Sequence, residues 1–122
     1  MKGRGPKISL LLAVAALGVW ATVAGARDSA GAAATKRVSI SDDFFSPKRI
    51  TISAGDKVKW TWRESDDHNV RFRKVPRGVS KKPGSRTQFS GTFTRKFRKR
   101  GTYRYVCTIH EDLGMTGSVK VE

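Results

Sequence analysis

Gly101-Thr102-Tyr103-Arg104-Tyr105-Val106-Cys107-Thr108-Ile109-His110-Glu111-Asp112-Leu113-Gly114-Met115 is the stretch on which the reading of this chain turns. Tyr103, Tyr105 and Cys107 recur at every second position, the period of a half-buried β-strand. The pattern resumes beyond Met115 with Val119 and Val121. The window from Cys107 to Met115 is therefore a turn between two antiparallel strands. It carries three side chains with soft or borderline donor atoms in the spacing Cys-x2-His-x4-Met. A turn of this length can aim three donors at one point.

Moving outward, the same alternation appears in Val38 and Ile40, Ile50 and Ile52, and Val58, Trp60 and Trp62. It returns in Val70 and Phe72, and in Phe93 and Phe97 around Arg95. Chain-breaking residues fall between the runs: Ser46-Pro47, Ala54-Gly55-Asp56, Pro76 to Gly78, Lys82-Pro83-Gly84, Arg100-Gly101 and Gly114 to Gly117. No segment after residue 26 has the three-to-four spacing of a helix. The expectation is an all-β fold, a Greek-key antiparallel β-sandwich of about seven to eight strands, with a small barrel as the alternative closure. The stretch Arg71 to Arg86 holds seven cations and no acid among prolines and glycines, and reads mostly as a solvated loop or a poor edge strand.

The first 26 residues read differently. Lys2, Arg4 and Lys7 precede the 16-residue apolar run from Ile8 to Val23, which ends in Ala24-Gly25-Ala26. This is the pattern of a cleavable Sec-type signal peptide. The alternative is a retained anchor, for which the run is short. The expected organisation is a signal peptide at 1–26, a flexible Ala/Gly-rich tether at 27–35, and one domain at 36–122. Export places the domain in the periplasm, the cell envelope or outside the cell. A lone cysteine there cannot form an internal disulfide, so Cys107 must be accounted for in another way.

Beyond the leader, the soft and borderline donors are His68, Cys107, His110 and Met115. Singly, each has an ordinary explanation: a surface histidine, a small buried thiol, a polar loop residue, core filler. Jointly they form the donor set of a blue-copper electron-transfer centre, a trigonal His2Cys plane with a weak axial thioether. Structural zinc sites use more thiolates and catalytic ones keep an open position, so zinc fits this set less well.

The chain resembles the cupredoxins of the plastocyanin and pseudoazurin type over about Val38 to Glu122. The resemblance rests on Phe45-x-Pro47-x-x-Ile50-x-Ile52-x-x-Gly55-Asp56-x-Val58-x-Trp60, on Asp67-His68-Asn69-Val70, and on Gly101-Thr102-Tyr103-x-Tyr105-x-Cys107-x-x-His110 with Met115. It implies one type 1 copper per chain, His68 and His110 as imidazole ligands, Cys107 as thiolate and Met115 as axial thioether. It also implies that Asn69 ties the two ligand loops together by hydrogen bonds. Ile109 stands where many members have proline, and Glu111 and Asp112 put carboxylates beside a ligand usually ringed by an apolar docking patch, here supplied by Leu113 and Ile109.

Without residues 1–26 the chain has 22 Lys+Arg against 10 Asp+Glu, a net charge of +12. Between Asp67 and Glu111 lie 13 cations and no acid. Such a field steers an acidic partner. Nucleic acid is not expected, because the aromatic residues alternate at strand period and read as core rather than as stacking platforms; contact with an anionic envelope is the other option. The expected function is one-electron carriage by a monomer between larger redox proteins, of cytochrome or oxidase type, docking near His110 and the basic surface. The alternatives are copper storage or delivery without a redox cycle, and a metal-free basic binding module. There is no catalytic acid–base pair, so an enzyme is not expected.

Overall fold

The computed structural model describes residues 32–122, together with Gly3; the signal peptide expected at 1–26 and residues 27–31 of the tether otherwise lie outside the described residues. Eight strands follow in chain order: β1 (Thr35–Ser41), β2 (Phe44–Ser46), β3 (Arg49–Ile52), β4 (Lys57–Trp62), β5 (Arg71–Lys74), β6 (Thr92–Lys96), β7 (Gly101–Val106) and β8 (Thr116–Val121). A 3-10 turn at Glu111–Leu113 separates the last two. Ala34, at the end of the expected tether, already pairs with the fold, its carbonyl accepting the Lys57 N–H at 2.9 Å.

The strands form two four-stranded sheets, ordered β2-β1-β4-β6 and β3-β8-β7-β5. The expected β-sandwich is thus realised, with one difference in detail: β1 pairs with β4, and β3 with β8, in parallel. The reason lies at Pro47. It cannot donate to a ladder, so the run descending from the β1–β2 hairpin breaks there and its continuation, β3, joins the opposite sheet. When the chain returns as β4 it lies beside β1 in the same direction. β2 is too short, at three residues, to show as an alternation in the sequence.

The two inner faces meet in an aromatic core. Trp60 is fully buried, with Tyr105 and Phe93 at ring-centroid distances of 5.3 and 5.4 Å and Phe72 at 6.1 Å. Offset and edge-on contacts of this kind add to the burial of the rings themselves. Val38, Ile40 and Val58 from one sheet and Tyr103 and Val119 from the other complete the layer.

Arg95 interrupts this apolar pattern. It shares the inward face of β6 with Phe93 and is buried, its guanidinium 4.4 Å from the centre of the Phe72 ring. The fork donates to the carbonyls of Ser80 (2.8 Å), Pro83 (3.2 Å) and Lys81 (3.3 Å). The cationic segment after β5 is therefore only partly the solvated loop that its composition suggests. Arg95 holds it from one side, and Ser85 from the other by accepting the Val70 N–H at 2.7 Å.

Two predictions follow from this packing. Arg95→Met keeps the stem but strands three loop carbonyls, so thermal denaturation should show a loss of about 2–4 kcal/mol, and Arg95→Lys, without the planar fork, should recover only part of it. The second concerns Asp56, whose carboxylate accepts the N–H groups of Ala34 and Ser53, each at 2.9 Å, bonds that hold it below the ordinary aspartate range. A depressed folded-state pKa means that its stabilisation is present above the unfolded value and disappears as pH falls through the folded one. Melting curves of the native chain and Asp56→Asn should be well separated at neutral pH and converge below about pH 4.

Candidate metal centre

One end of the sandwich gathers the C-terminal ends of β1, β4 and β7 and the start of β8, as the pairs Ile40 with Trp62 and Val106 with Thr116 require. The loop closing this end is built by its own backbone. The Cys107 N–H donates to the Met115 carbonyl at 3.0 Å, extending the β7–β8 ladder by one rung. Inside that rung, His110 N–H reaches the Cys107 carbonyl and Met115 N–H the His110 carbonyl, each at 3.2 Å. Gly114, at φ 83°, makes the left-handed turn that brings Met115 back inward.

His68 arrives on the connection between β4 and β5, outside the strands of either sheet. Its backbone exchanges two 3.0 Å hydrogen bonds with Gln88, and its carbonyl accepts the Trp62 indole N–H at 3.2 Å. The ring is thereby pinned over the Cys107 loop. Cys107 Sγ lies 3.8 Å from His68 Nδ1 and 3.6 Å from His110 Nδ1, and the three ligand atoms lie within 4.8 Å of one another. A metal bonded at about 2.3 Å to sulfur and about 2.0 Å to nitrogen, with 120° between the bonds, separates such donors by about 3.7 Å. The residues present therefore fit a trigonal ion. Met115, fully buried, is joined by its backbone to both Cys107 and His110 as the chain returns to β8.

The surroundings keep His68 a neutral donor. Burial, with the adjacent His110 acting the same way, holds its imidazole below the ordinary range against the opposing charges of Asp66, Asp43 and Asp42. The Nδ1 lone pair is thus available at neutral pH. Its Nε2 is buried without a partner. The Asn69 amide bridges the two loops: its nitrogen donates to Thr108 Oγ1 (2.7 Å) and Thr87 Oγ1 (3.0 Å), and its oxygen accepts the Thr108 N–H (2.9 Å).

All four donors singled out in the sequence lie at this end, and His110 is the one whose side chain reaches solvent, at 21 % exposure. Other neighbours carried no sequence signal. Thr87 and Thr108 are ordinary threonines until the Asn69 bonds are seen. Asp43, at the tip of the β1–β2 hairpin, places Oδ1 3.5 Å from His110 Nε2. Arg73 on β5 holds Glu111 through two contacts, at 2.8 and 3.3 Å. Phe44, the first residue of β2, and Phe89, next to the Gln88 that pairs with His68, are exposed, as are Ile109 and Leu113 of the ligand loop.

The charges are also unevenly placed. Of the nine acids among the described residues, seven lie in three loops at the donor end: Asp42, Asp43, Glu64, Asp66, Asp67, Glu111 and Asp112. The cations are spread over both sheets and several loops; three of them, Arg49, Arg104 and Lys74, stand with Ser118 in one row across the four strands of the β3-β8-β7-β5 sheet. Together with Lys48 and Arg73 they border a shallow groove of about 510 Å³.

The chain is similar to known proteins. The family model for copper binding proteins of the plastocyanin/azurin family matches residues 33–122. The plastocyanin of Prochlorothrix hollandica is 37% identical over 98 residues, covering 74% of this chain and 75% of its own. Amicyanin-alpha of Methylorubrum extorquens is 38% identical over 91 residues, covering 74% of each chain. Among solved structures, plastocyanin from Dryopteris crassirhizoma superposes with a TM-score of 0.62 at 28% identity, over 70% of this chain and 99% of that one. A purple cupredoxin from Nitrosopumilus maritimus gives 0.61 at 26% identity, over 71% and 99%. With a sandwich of this topology and a His-Cys-His cluster sized for one ion, the chain belongs to the plastocyanin/azurin family of copper-binding proteins, and its cofactor is copper.

Proposed function

We propose that the domain is an exported one-electron carrier with a type 1 copper centre, in which His68, His110 and Cys107 supply the trigonal plane and Met115 the axial thioether. The observation that carries this reading is the convergence of two imidazole Nδ1 atoms and one thiol on a single point, at separations of 3.6 and 3.8 Å, on loops locked by backbone bonds. Bound copper supplies a one-electron couple. The chain's part is to keep the donors still. Thiolate and thioether suit the reduced ion and imidazole tolerates the oxidised one. Loops cross-linked through Asn69 and the Cys107–Met115 rung oppose rearrangement when the charge changes.

Three of the four donors are fully or almost fully buried, so the electron leaves by His110, beside the exposed Ile109 and Leu113 of its loop. The physiological partner in this reading is an acidic redox protein. It is drawn in by the net charge and the cationic row across the sheet, and it settles against the apolar surface at the His110 end. Export is supported by the leader pattern of residues 1–26 and by a single thiol that is spared oxidation by ligation.

Titrating Cu(II) into the purified domain should produce an intense thiolate-to-copper band in the visible at one ion per chain, with reversible one-electron voltammetry. The band should vanish in Cys107→Ser. A colourless, readily chelated complex would instead indicate copper handling without a redox cycle. For the reduced protein, the rate of oxidation by anionic hexacyanoferrate(III) should fall steeply with added salt. At low salt it should be several-fold slower in the Arg49→Glu/Arg104→Glu variant; a salt-independent rate would remove the steering role of the cations.

A further inference from the structure

The geometry points to Asp43 as a positioning residue for the exposed ligand, holding the His110 imidazole by its Nε2 edge so that Nδ1 faces the point shared with Cys107 and His68. A carboxylate can only accept, so the ring nitrogen facing it is the one that carries the proton, and the other keeps its lone pair. Here Asp43 Oδ1 is 3.5 Å from Nε2, and Cys107 Sγ is 3.6 Å from Nδ1 on the other side of the ring. The first distance is at the outer limit of a hydrogen bond. The Asp43 side chain is 53 % exposed, so little packing opposes its approach to the ring.

The hairpin presents Asp43 in a fixed way. Ser41 pairs with Phe44, leaving Asp42 and Asp43 as a two-residue turn. Asp42 takes a left-handed conformation at φ 43°, which aspartate tolerates better than most residues. Its N–H donates to Glu64 Oε2 at 2.9 Å, tying the turn to the loop after β4. The carboxylate is thus brought to His110 by an element that supplies no ligand of its own.

Carboxylates behind metal-bound imidazoles fix ring orientation and raise ligand basicity. At this site the added negative charge favours the oxidised ion over the reduced one, so Asp43 tunes the centre toward a lower potential. It also stands over the ring edge by which the electron leaves, so an approaching partner meets this carboxylate before the imidazole.

The inference rests on the copper ligation proposed above, and the test separates the two. Cu(II) and Cu(I) affinities, by chelator competition, and the midpoint potential are measured for the native domain, Asp43→Ala, Asp43→Asn and Asp112→Asn. Asp112 is a carboxylate of the ligand loop that makes no bond to His110, and its variant controls for general electrostatics. Asp43→Ala should keep the thiolate band but bind Cu(II) about tenfold more weakly. Its Cu(I) affinity should fall much less and its potential should rise, with Asp43→Asn intermediate and Asp112→Asn close to the native domain. Equal shifts in Asp43→Ala and Asp112→Asn, or none in either, with the band intact, would overturn the role of Asp43 alone. A native domain without the band would overturn the ligand assignment, and this inference with it.

Discussion

The 3.0 Å hydrogen bond from the Cys107 N–H to the Met115 carbonyl carries the rest of the centre. It is the last rung of the β7–β8 ladder, one step beyond the Val106–Thr116 pair, and it converts seven intervening residues into a closed loop. Strand register therefore sets the loop. A slip of one residue would turn Cys107 to the opposite face and part it from both histidines. That register is in turn held by the inward alternation of Tyr103, Tyr105, Val119 and Val121 against the core of the other sheet. The tolerance is small where β8 crosses Tyr105. A side chain on Gly117 would run into the Tyr105 ring, whose hydroxyl is buried without a partner and whose pKa burial pushes up to about 12.

The electrostatics divide by position. His68 lies inside the protein and is kept neutral by burial; His110 lies at the rim among carboxylates. The acids gather in the three end loops while the cations are spread over the rest of the domain, so the charge is uneven within a positive total. An uneven field orients an encounter with a charged body as well as accelerating it. Arg73 joins the two regions, reaching from β5 to Glu111 beside the ligand loop. Both partners are about half exposed, so the pair adds little stability by itself. Its effect is to fix where one of the loop carboxylates lies.

Much of this was legible in the amino-acid sequence. Period-two alternation marked seven of the eight strands, and the Cys-x2-His-x4-Met window pointed to the β7–β8 loop and its candidate donors, because both patterns are local. The features that escaped it are contacts between distant segments. Arg95 sits at an inward position of β6, yet nothing nearby announces that its charge will be satisfied by carbonyls of residues 80, 81 and 83. Asp43 is unremarkable until parallel pairing of β1 with β4 brings the first hairpin to the donor end. The parallel pairings were hidden for the same reason: strand direction depends on which sheet β3 joins, and alternation does not encode that choice.

Copper bound by one sulfur of Cys107 and two imidazoles, on loops that barely move between oxidation states, is the proposed ligation. X-ray absorption at the copper edge, on the fully loaded domain in both oxidation states, tests this most directly. It should show one short copper–sulfur bond and two imidazole nitrogens, with closely similar distances after reduction. A first shell of nitrogen and oxygen alone, or a change in the number of nearest neighbours on reduction, would contradict it.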